Sequence, residues 1–127
     1  MSKPSGLTRT LFRTFMVLAL VLMWRVAHAE EVGGYDVERL ATAIYHAEGG
    51  ANTNWPYGIL ARYKTTTPRQ ACINTIRSKY REWVKLGAKG DYLTYLGSRY
   101  CPVGADNDPT GLNGHWLKNI RSLYANR

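Results

Sequence analysis

Residues 36–50 read DVERLATAIYHAEGG, and this stretch decides how the folded part of the chain begins. Its apolar residues recur at the spacing of one buried helix face: Val37, Leu40, Ala41 and Ile44. Asp36 is a good N-cap, and the glycines at 49 and 50 end the pattern. The stretch therefore predicts an amphipathic helix that starts after Asp36 and stops at Gly49.

Glu48 is the candidate catalytic residue of this helix, because it continues the apolar face at the C-terminal end. A carboxyl group that is partly removed from water, beside the negative end of a helix dipole, favours its neutral form. Such a group can donate a proton near neutral pH. The alternative is that Glu48 is an ordinary last-turn residue whose carboxylate reaches solvent.

Residues 1–29 have the layout of a secretory signal peptide. Lys3, Arg9 and Arg13 precede an apolar run, and residues 27–29 read Ala-His-Ala, a small-x-small cleavage site. The apolar run is shorter than the roughly 20 residues of a membrane span. We therefore expect export to a periplasmic or secreted location, with no stable membrane insertion after cleavage, and one domain over residues 30–127.

The charge of the predicted mature segment is modest. It keeps 13 of the 17 basic residues and all nine acidic ones, so its net charge is +4. This value suits an anionic polymer such as cell wall and is too low to indicate a nucleic-acid partner. A small cationic protein that acts on membranes or nucleic acid is the least favoured class, since no helix is both strongly cationic and free of a core face.

Cys72 and Cys101 are the two cysteines of the chain. In an exported protein two cysteines most simply form one disulfide, and closing a loop of about 30 residues contributes roughly 3–4 kcal/mol. We therefore predict a Cys72–Cys101 disulfide. The residues offer no metal-ligand spacing, so neither a metal site nor a cofactor is predicted.

Three further helices follow the first. Thr67-Pro68 begins the second, which runs to about Leu86, and Asp91 caps a short third helix. Asn113 caps the last. The apolar stripe of the second is Cys72, Ile76, Tyr80 and Trp83, and that of the last is Trp116, Ile120, Leu123 and Tyr124. The chain is thus predicted to be a small, mainly α domain of about four helices, with no confident strand.

Two segments read as loops. Residues 51–67 are rich in Asn, Thr, Gly and Pro, which predicts a short hairpin or an irregular loop with residues 57–60 turned inward. Residues 103–111 contain Asp106 and Asp108 at a spacing that faintly suggests a calcium loop. The remaining ligands of such a loop are missing, so a turn-rich connection is the better interpretation.

Around Glu48 and the turn Gly58-Ile59-Leu60-Ala61, the sequence resembles the lysozyme-like superfamily, and most closely the catalytic domain of soluble lytic transglycosylases and goose-type lysozymes. That family has a glutamate at a helix end, usually followed by serine, and a Gly-Leu-Met-Gln turn about ten residues later. Here Gly49 replaces the serine and Ala61 the glutamine. The domain is also short, so part of the saccharide cleft is absent or is supplied by a partner such as a larger envelope assembly.

The resemblance implies a role for Glu48 as general acid and base on the glycan strands of peptidoglycan, at the MurNAc–GlcNAc bond. It also makes Tyr124 a candidate to hydrogen-bond and orient this glutamate. The residues near Glu48 that are candidates to line a sugar groove, with ordinary packing as the alternative for each, are Trp55, Tyr57, Gly58, Ile59 and Tyr63.

The choice of reaction depends on a second carboxylate. An inverting hydrolase needs one roughly 6.5–9.5 Å from the acid to activate water. The candidates, Asp91, Asp106 and Asp108, are better explained as cap and turn residues, which favours a lytic transglycosylase over a lysozyme. The alternative to either enzyme is a non-catalytic domain of the same fold that binds wall glycan or a protein partner.

Overall fold

The computed structural model describes residues 6–27, 29–100, 111 and 113–126, and Cys101, Asp106 and Asp108 lie outside these ranges. Within them the chain is mainly helical, as predicted. The helices are α1 (Gly6–Ala27), α2 (Val37–Ala47), α3 (Pro68–Lys85), α4 (Tyr92–Tyr100) and α5 (Gly114–Ala125). The strands are β1 (Glu31–Val32) and β2 (Tyr35–Asp36), and two 3₁₀ turns cover Gly50–Asn52 and Pro56–Gly58.

A two-residue antiparallel hairpin precedes α2 and was missed by the sequence analysis. Val32 pairs with Tyr35 across a turn in which Gly33 and Gly34 have φ values of 58° and 86°. A side chain at Gly33 would lie 2.5 Å from the Cβ of Tyr92, so only glycine lets the hairpin pack against α4. The Gly-Gly pair was the local signal for this turn.

Helix α2 is the centre of the fold. It packs against α3, α5 and the second 3₁₀ turn, while α4 packs against both α3 and α5. The side chains buried along α2 are those that its periodicity predicted, namely Val37, Leu40, Ala41 and Ile44, with Ala43 in addition. Leu40 and Ile44 are fully buried, together with Ile76 and Ile120 of the neighbouring helices. The core therefore lies between α2 and the helices around it.

Three of the four predicted helix caps are confirmed by their hydrogen bonds, whereas the side chain of Asn113 makes no cap hydrogen bond at the start of α5. The Asp36 carboxylate accepts from the Arg39 N–H at 2.7 Å, and the Thr67 hydroxyl accepts from the Gln70 N–H at 3.1 Å. Asp91 accepts from the Thr94 N–H at 2.9 Å. Each contact satisfies a first-turn N–H that has no partner within its own helix.

Residues 51–67 form 3₁₀ turns and irregular chain, without a hairpin. Of the four residues expected to turn inward, Tyr57 is buried and Ile59 is half-buried. Leu60 is 70% exposed, so its predicted inward position was wrong. The reason is the backbone of Tyr57 and Gly58, whose left-handed conformation directs the following residues along the surface.

The predicted Cys72–Cys101 disulfide is not supported. Cys72 is a free thiol, fully buried on the core face of α3. Burial raises the pKa of this thiol to about 11. Cys72 therefore contributes to the fold as a small apolar side chain.

No helix within the described residues is long and apolar enough to cross a membrane. This finding covers α1, the helix that spans most of the predicted signal segment.

Candidate functional site

Glu48 lies where the sequence predicted it, at the C-terminal end of α2. Its backbone N–H donates to the Ile44 carbonyl at 3.0 Å, and the helix then ends because Gly49 takes a left-handed φ of 102°. The Glu48 side chain is half-buried. Its carboxylate is therefore held at the edge of the core, close to several groups that are distant in sequence.

Trp116 of α5 is the hydrogen-bond donor to this carboxylate. The indole Nε1 donates to Glu48 Oε1 at 2.9 Å, and the Trp116 side chain is 7% exposed. The indole stacks on the Tyr100 ring with 5.4 Å between centroids, and a Cβ at Gly97 would lie 3.2 Å from it. Packing from α4 thus fixes the donor, which in turn fixes one oxygen of Glu48.

Gly58 lies against the other oxygen. A side chain at this position would place its Cβ 2.9 Å from Glu48 Oε2 and 3.0 Å from Cδ. Gly58 also has a φ of 66°, a conformation that residues with a side chain rarely adopt. Glycine is therefore required here both by the backbone and by the carboxylate.

Tyr57 holds the turn that brings Gly58 to Glu48. It has a φ of 63°, which is uncommon for a residue other than glycine. Its ring packs against Tyr45 at 5.2 Å, its hydroxyl accepts from Arg69 at 3.3 Å, and its carbonyl accepts from the Tyr100 hydroxyl. Strained backbone persists only where such contacts over-determine it, and it is concentrated at functional sites.

Burial raises the pKa of the Tyr100 hydroxyl above its ordinary value, with Cys72 and Glu48 among the groups that raise it further. Tyr100 therefore stays protonated at physiological pH and remains a donor to the Tyr57 carbonyl. The same ring supports Trp116 by stacking, so Tyr100 contributes to the position of Glu48 from both sides.

Tyr124 does not orient Glu48. Its hydroxyl accepts from the Asp36 N–H at 2.9 Å, at the opposite end of α2, and its ring contacts Tyr35 at 5.3 Å. The Arg39 guanidinium lies 4.4 Å from the Tyr124 ring centroid. The prediction for Tyr124 is corrected: Trp116 is the residue of α5 that reaches the carboxylate.

The predicted sugar-groove residues are only partly brought together. Trp55, Ile59 and Tyr63 line a surface groove of about 310 Å³, in which Trp55 is 42% and Tyr63 is 56% exposed. The Arg62 guanidinium lies 5.6 Å from the Trp55 ring. We call the groove lined by Trp55, Ile59 and Tyr63 the aromatic groove. Tyr57 does not line it, because its ring is buried in the core.

A second groove, of about 220 Å³, lies on the other side of Ile59, which lines both. Its lining consists of Gly58, Ile59, Thr75, Lys79, Arg99 and Tyr100. We call it the basic groove, because two of these residues are cations. Gly58, which lines this groove, is also the residue whose added Cβ would lie 2.9 Å from Glu48 Oε2.

No carboxylate among the described residues lines either groove. Asp91 accepts from the Thr94 N–H at 2.9 Å, which agrees with its interpretation as a cap, and it also accepts from the Tyr35 hydroxyl at 2.8 Å and the Arg121 guanidinium at 3.3 Å. No cluster of His, Cys, Asp or Glu that would hold a metal ion occurs in the described ranges. Glu48 itself lines neither groove, and Gly58 is the groove residue that lies next to its carboxylate.

Sequence reasoning missed four residues of the site, namely Trp116, Tyr100, Lys79 and Arg99. Trp116 was assigned to a core stripe, and it is indeed buried. A buried indole N–H needs a hydrogen-bond acceptor, which was the one available signal. Nothing local to Lys79 or Arg99 indicated that α3 and α4 would bring them to one groove.

No protein-family model, curated protein or solved structure matches this chain at a significant level of similarity.

Proposed function

We propose that this chain cleaves the glycan strands of peptidoglycan at the MurNAc–GlcNAc bond, as a lytic transglycosylase of the lysozyme-like superfamily in which Glu48 is general acid and then general base. The observation that carries the proposal is the environment of the Glu48 carboxylate. Oε1 accepts from Trp116, and Oε2 faces Gly58, which lines a surface groove.

The two oxygens of Glu48 have different roles in this proposal. The bond from Trp116 to Oε1 fixes the plane of the carboxyl group and leaves Oε2 as the oxygen that exchanges a proton with the substrate. Oε2 donates this proton to the leaving glycosidic oxygen as the bond to C1 breaks, and the departing sugar leaves with a hydroxyl group. A positioned acid of this kind contributes roughly 10²–10⁴-fold to the rate.

The second step returns the proton to Glu48. The carboxylate accepts the proton of the sugar's own C6 hydroxyl while O6 forms a bond to C1, which yields an anhydro end without water. One carboxylate serves both steps. Hydrolysis by inversion would need a second carboxylate to activate water.

The aromatic groove supports a saccharide as the substrate. Trp55 and Tyr63 are exposed rings beside the turn that carries Gly58. Aromatic faces pair with the apolar C–H patches of sugars, while the indole N–H and phenol O–H remain free to bond hydroxyl groups. In this proposal the aromatic groove holds one side of the glycan strand and the basic groove the other.

The test is digestion of purified peptidoglycan by the wild type and by Glu48→Gln, with the released fragments identified by mass spectrometry. The matched control is Glu31→Gln, because Glu31 is an exposed carboxylate on the hairpin. We expect anhydro-ended fragments from the wild type and the control, and none from Glu48→Gln. Fragments from Glu48→Gln would contradict the proposal.

The same assay separates the alternatives. Reducing-end fragments would identify a lysozyme and a water-activating carboxylate elsewhere in the chain. Release of no fragments, together with retention of the protein on insoluble wall material, would identify a binding domain without catalysis. We further propose that residues 1–29 direct export, which fractionation of expressing cells and N-terminal sequencing of the recovered protein will test.

A further inference from the structure

We propose that the basic groove is a carboxylate-binding subsite, in which Lys79 and Arg99 bind an acidic substituent of the glycan beside the scissile bond. The inference rests on the proposed function for the identity of the glycan. It adds that the chain discriminates between acidic and neutral glycans, and it names the residues that do so.

The first argument is position. Gly58 lines the basic groove, and a Cβ added to it would lie 2.9 Å from Glu48 Oε2, so one residue lies between a ligand in this groove and the proposed acid. Ile59 separates this groove from the aromatic groove and lines both. A glycan strand that passes Glu48 therefore meets the exposed rings of the aromatic groove on one side and the two cations of the basic groove on the other.

The second argument is charge. Lys79 makes an ion pair with Glu82 at 2.8 Å, and both side chains remain partly exposed. Arg99 makes no ion pair within the described residues and lies 5.5 Å from the Tyr95 ring. The pKa of the Glu82 carboxyl is lowered, first by its bond to Lys79 and then by the charges of Lys79 and Arg99. Glu82 is thus paired with Lys79 and leaves Arg99 without an ion-pair partner among the described residues, so the groove has excess positive charge.

The third argument is the supply of hydrogen-bond donors. The Thr75 hydroxyl donates to the Ala71 carbonyl at 3.0 Å, and the Tyr100 hydroxyl donates to the Tyr57 carbonyl. The donors left for a ligand are the ammonium of Lys79 and the guanidinium of Arg99. Guanidinium binds carboxylate in a two-point geometry, so an acid group fits this groove better than a neutral sugar hydroxyl.

Two substituents of the proposed substrate carry this chemistry. One is the lactyl carboxylate of a muramic acid without peptide, and the other is a free carboxylate of an attached peptide. Both are acidic groups borne next to the scissile bond. Neutral β-1,4-linked GlcNAc polymers carry neither of these carboxylates. We therefore expect the basic groove to contribute nothing to their binding.

The experiment measures binding by titration calorimetry with the chain carrying Glu48→Gln, so that no probe is consumed. The probes are chitotetraose, a peptide-free GlcNAc–MurNAc tetrasaccharide and the same tetrasaccharide with its peptides. We compare the Kd values of the Glu48→Gln protein with those of the same protein that also carries Lys79→Gln and Arg99→Gln. The matched control pair is Arg81→Gln and Lys85→Gln, which removes the same charge from exposed positions of α3 outside the groove.

We expect the Kd for an acidic probe to rise about two- to fivefold per cation removed, which is the range for solvent-exposed charge pairs. The Kd for chitotetraose and all values for the control pair remain unchanged. Adding Glu82→Gln instead removes the competing carboxylate and lowers the Kd for the acidic probe. A response from the peptide-free tetrasaccharide identifies the lactyl carboxylate, and a response only from the peptide-bearing one identifies the peptide.

Three outcomes would overturn the inference: an equal loss with all three probes, an equal loss in the control pair, or no measurable binding of any acidic probe. Because binding is read without turnover, these outcomes are distinct from a failure of the proposed function. That failure would appear as the absence of fragments from wild-type digestion of peptidoglycan.

Discussion

The indole N–H of Trp116 donates a 2.9 Å hydrogen bond to Glu48 Oε1 across a separation of 68 residues. This single contact joins the last helix to the end of the central one. It makes the orientation of the proposed acid depend on the packing of α5 and of the Tyr100 ring that stacks on the indole. The predictions below test this dependence and the fold that supports it.

Replacing Trp116 with Phe keeps an aromatic ring and removes the donor to Glu48. We expect kcat on peptidoglycan to fall, with little change in KM, because the carboxyl group loses its orientation while the grooves stay intact. A single intramolecular hydrogen bond of this kind is worth about 0.5–1.5 kcal/mol. The matched control is Trp83→Phe. This variant also removes an indole donor, because Trp83 Nε1 donates a 3.1 Å hydrogen bond to the Lys89 carbonyl. Equal losses of kcat in both variants would argue against a positioning role.

Replacing Gly58 with Ala should abolish cleavage, because the added Cβ would lie 2.9 Å from Glu48 Oε2. The left-handed backbone adds a cost of about 1–2 kcal/mol to folding. Gly34→Ala is the control, since Gly34 has a φ of 86° but no atom within 4 Å of its added Cβ. Thermal unfolding should show similar destabilisation of the two variants, and only Gly58→Ala should lose activity. Full activity in Gly58→Ala would contradict the contact with Glu48.

Replacing Tyr100 with Phe leaves the Tyr57 carbonyl without its donor. We expect a loss of about 1–3 kcal/mol in the free energy of unfolding, because a partly buried acceptor is left unpaired. Tyr92→Phe is matched, since the Tyr92 hydroxyl donates to the Ile76 carbonyl at 2.6 Å in the core. Denaturant unfolding should show that both variants are destabilised. Digestion of peptidoglycan should fall only in Tyr100→Phe, and a comparable fall in Tyr92→Phe would show that destabilisation alone is responsible.

Asp91 should make the stability of the fold sensitive to acid. Burial raises the pKa of its carboxyl, but bonds from Tyr35, Thr94 and Arg121 outweigh burial and hold it below the ordinary value of 3.8. A depressed pKa in the folded state stabilises the protein above pH 3.8, and this stabilisation is lost as the pH falls through the folded-state value.

The stability difference between wild type and Asp91→Asn should therefore be largest near neutral pH, at up to about 1 kcal/mol for a partly exposed charge, and should vanish in acid. Chemical denaturation between neutral pH and strong acid measures it. Glu31→Gln serves as the control, since Glu31 is exposed and makes no ion pair among the described residues. A difference that grows on acidification would contradict the prediction.

Cys72 should resist alkylation in the folded protein. Its side chain is fully buried, and its pKa of about 11 keeps it a thiol at pH 8. Iodoacetamide should label it only after unfolding, which mass spectrometry detects. Rapid labelling of the folded protein would show that the site is open. Absence of labelling in denatured protein until a reductant is added would instead establish the disulfide with Cys101.

The fold was predictable where its signals are local. Asp36, Thr67 and Asp91 cap their helices through N–H groups three residues ahead, and the apolar period of α2 matched its buried side chains. The hairpin turn of Gly33 and Gly34 was missed, although its signal is local too. Strands of two residues are too short to show the alternation of apolar and polar side chains by which a strand is predicted. These features depend on backbone geometry and on neighbours within a turn.

The candidate site was predictable only in part. The sequence by itself determined that Glu48 ends a helix on its apolar side, since Gly49 cannot continue that helix without cost. The glycine turn at Gly58, ten residues after Glu48, was expected from the family resemblance. The assignment of Tyr124 to Glu48, which the family resemblance implied, was wrong, because the Tyr124 hydroxyl bonds the Asp36 N–H at the opposite end of α2.

Only the tertiary structure decided the partners of Glu48. The packing of α5 against α2 selected Trp116 over Tyr124, the packing of α4 placed Tyr100 against the Tyr57 carbonyl, and α3 and α4 together brought Lys79 and Arg99 into one groove. These contacts join residues far apart in the chain. Their distances are set by how whole helix faces interlock, which no local pattern of residues encodes.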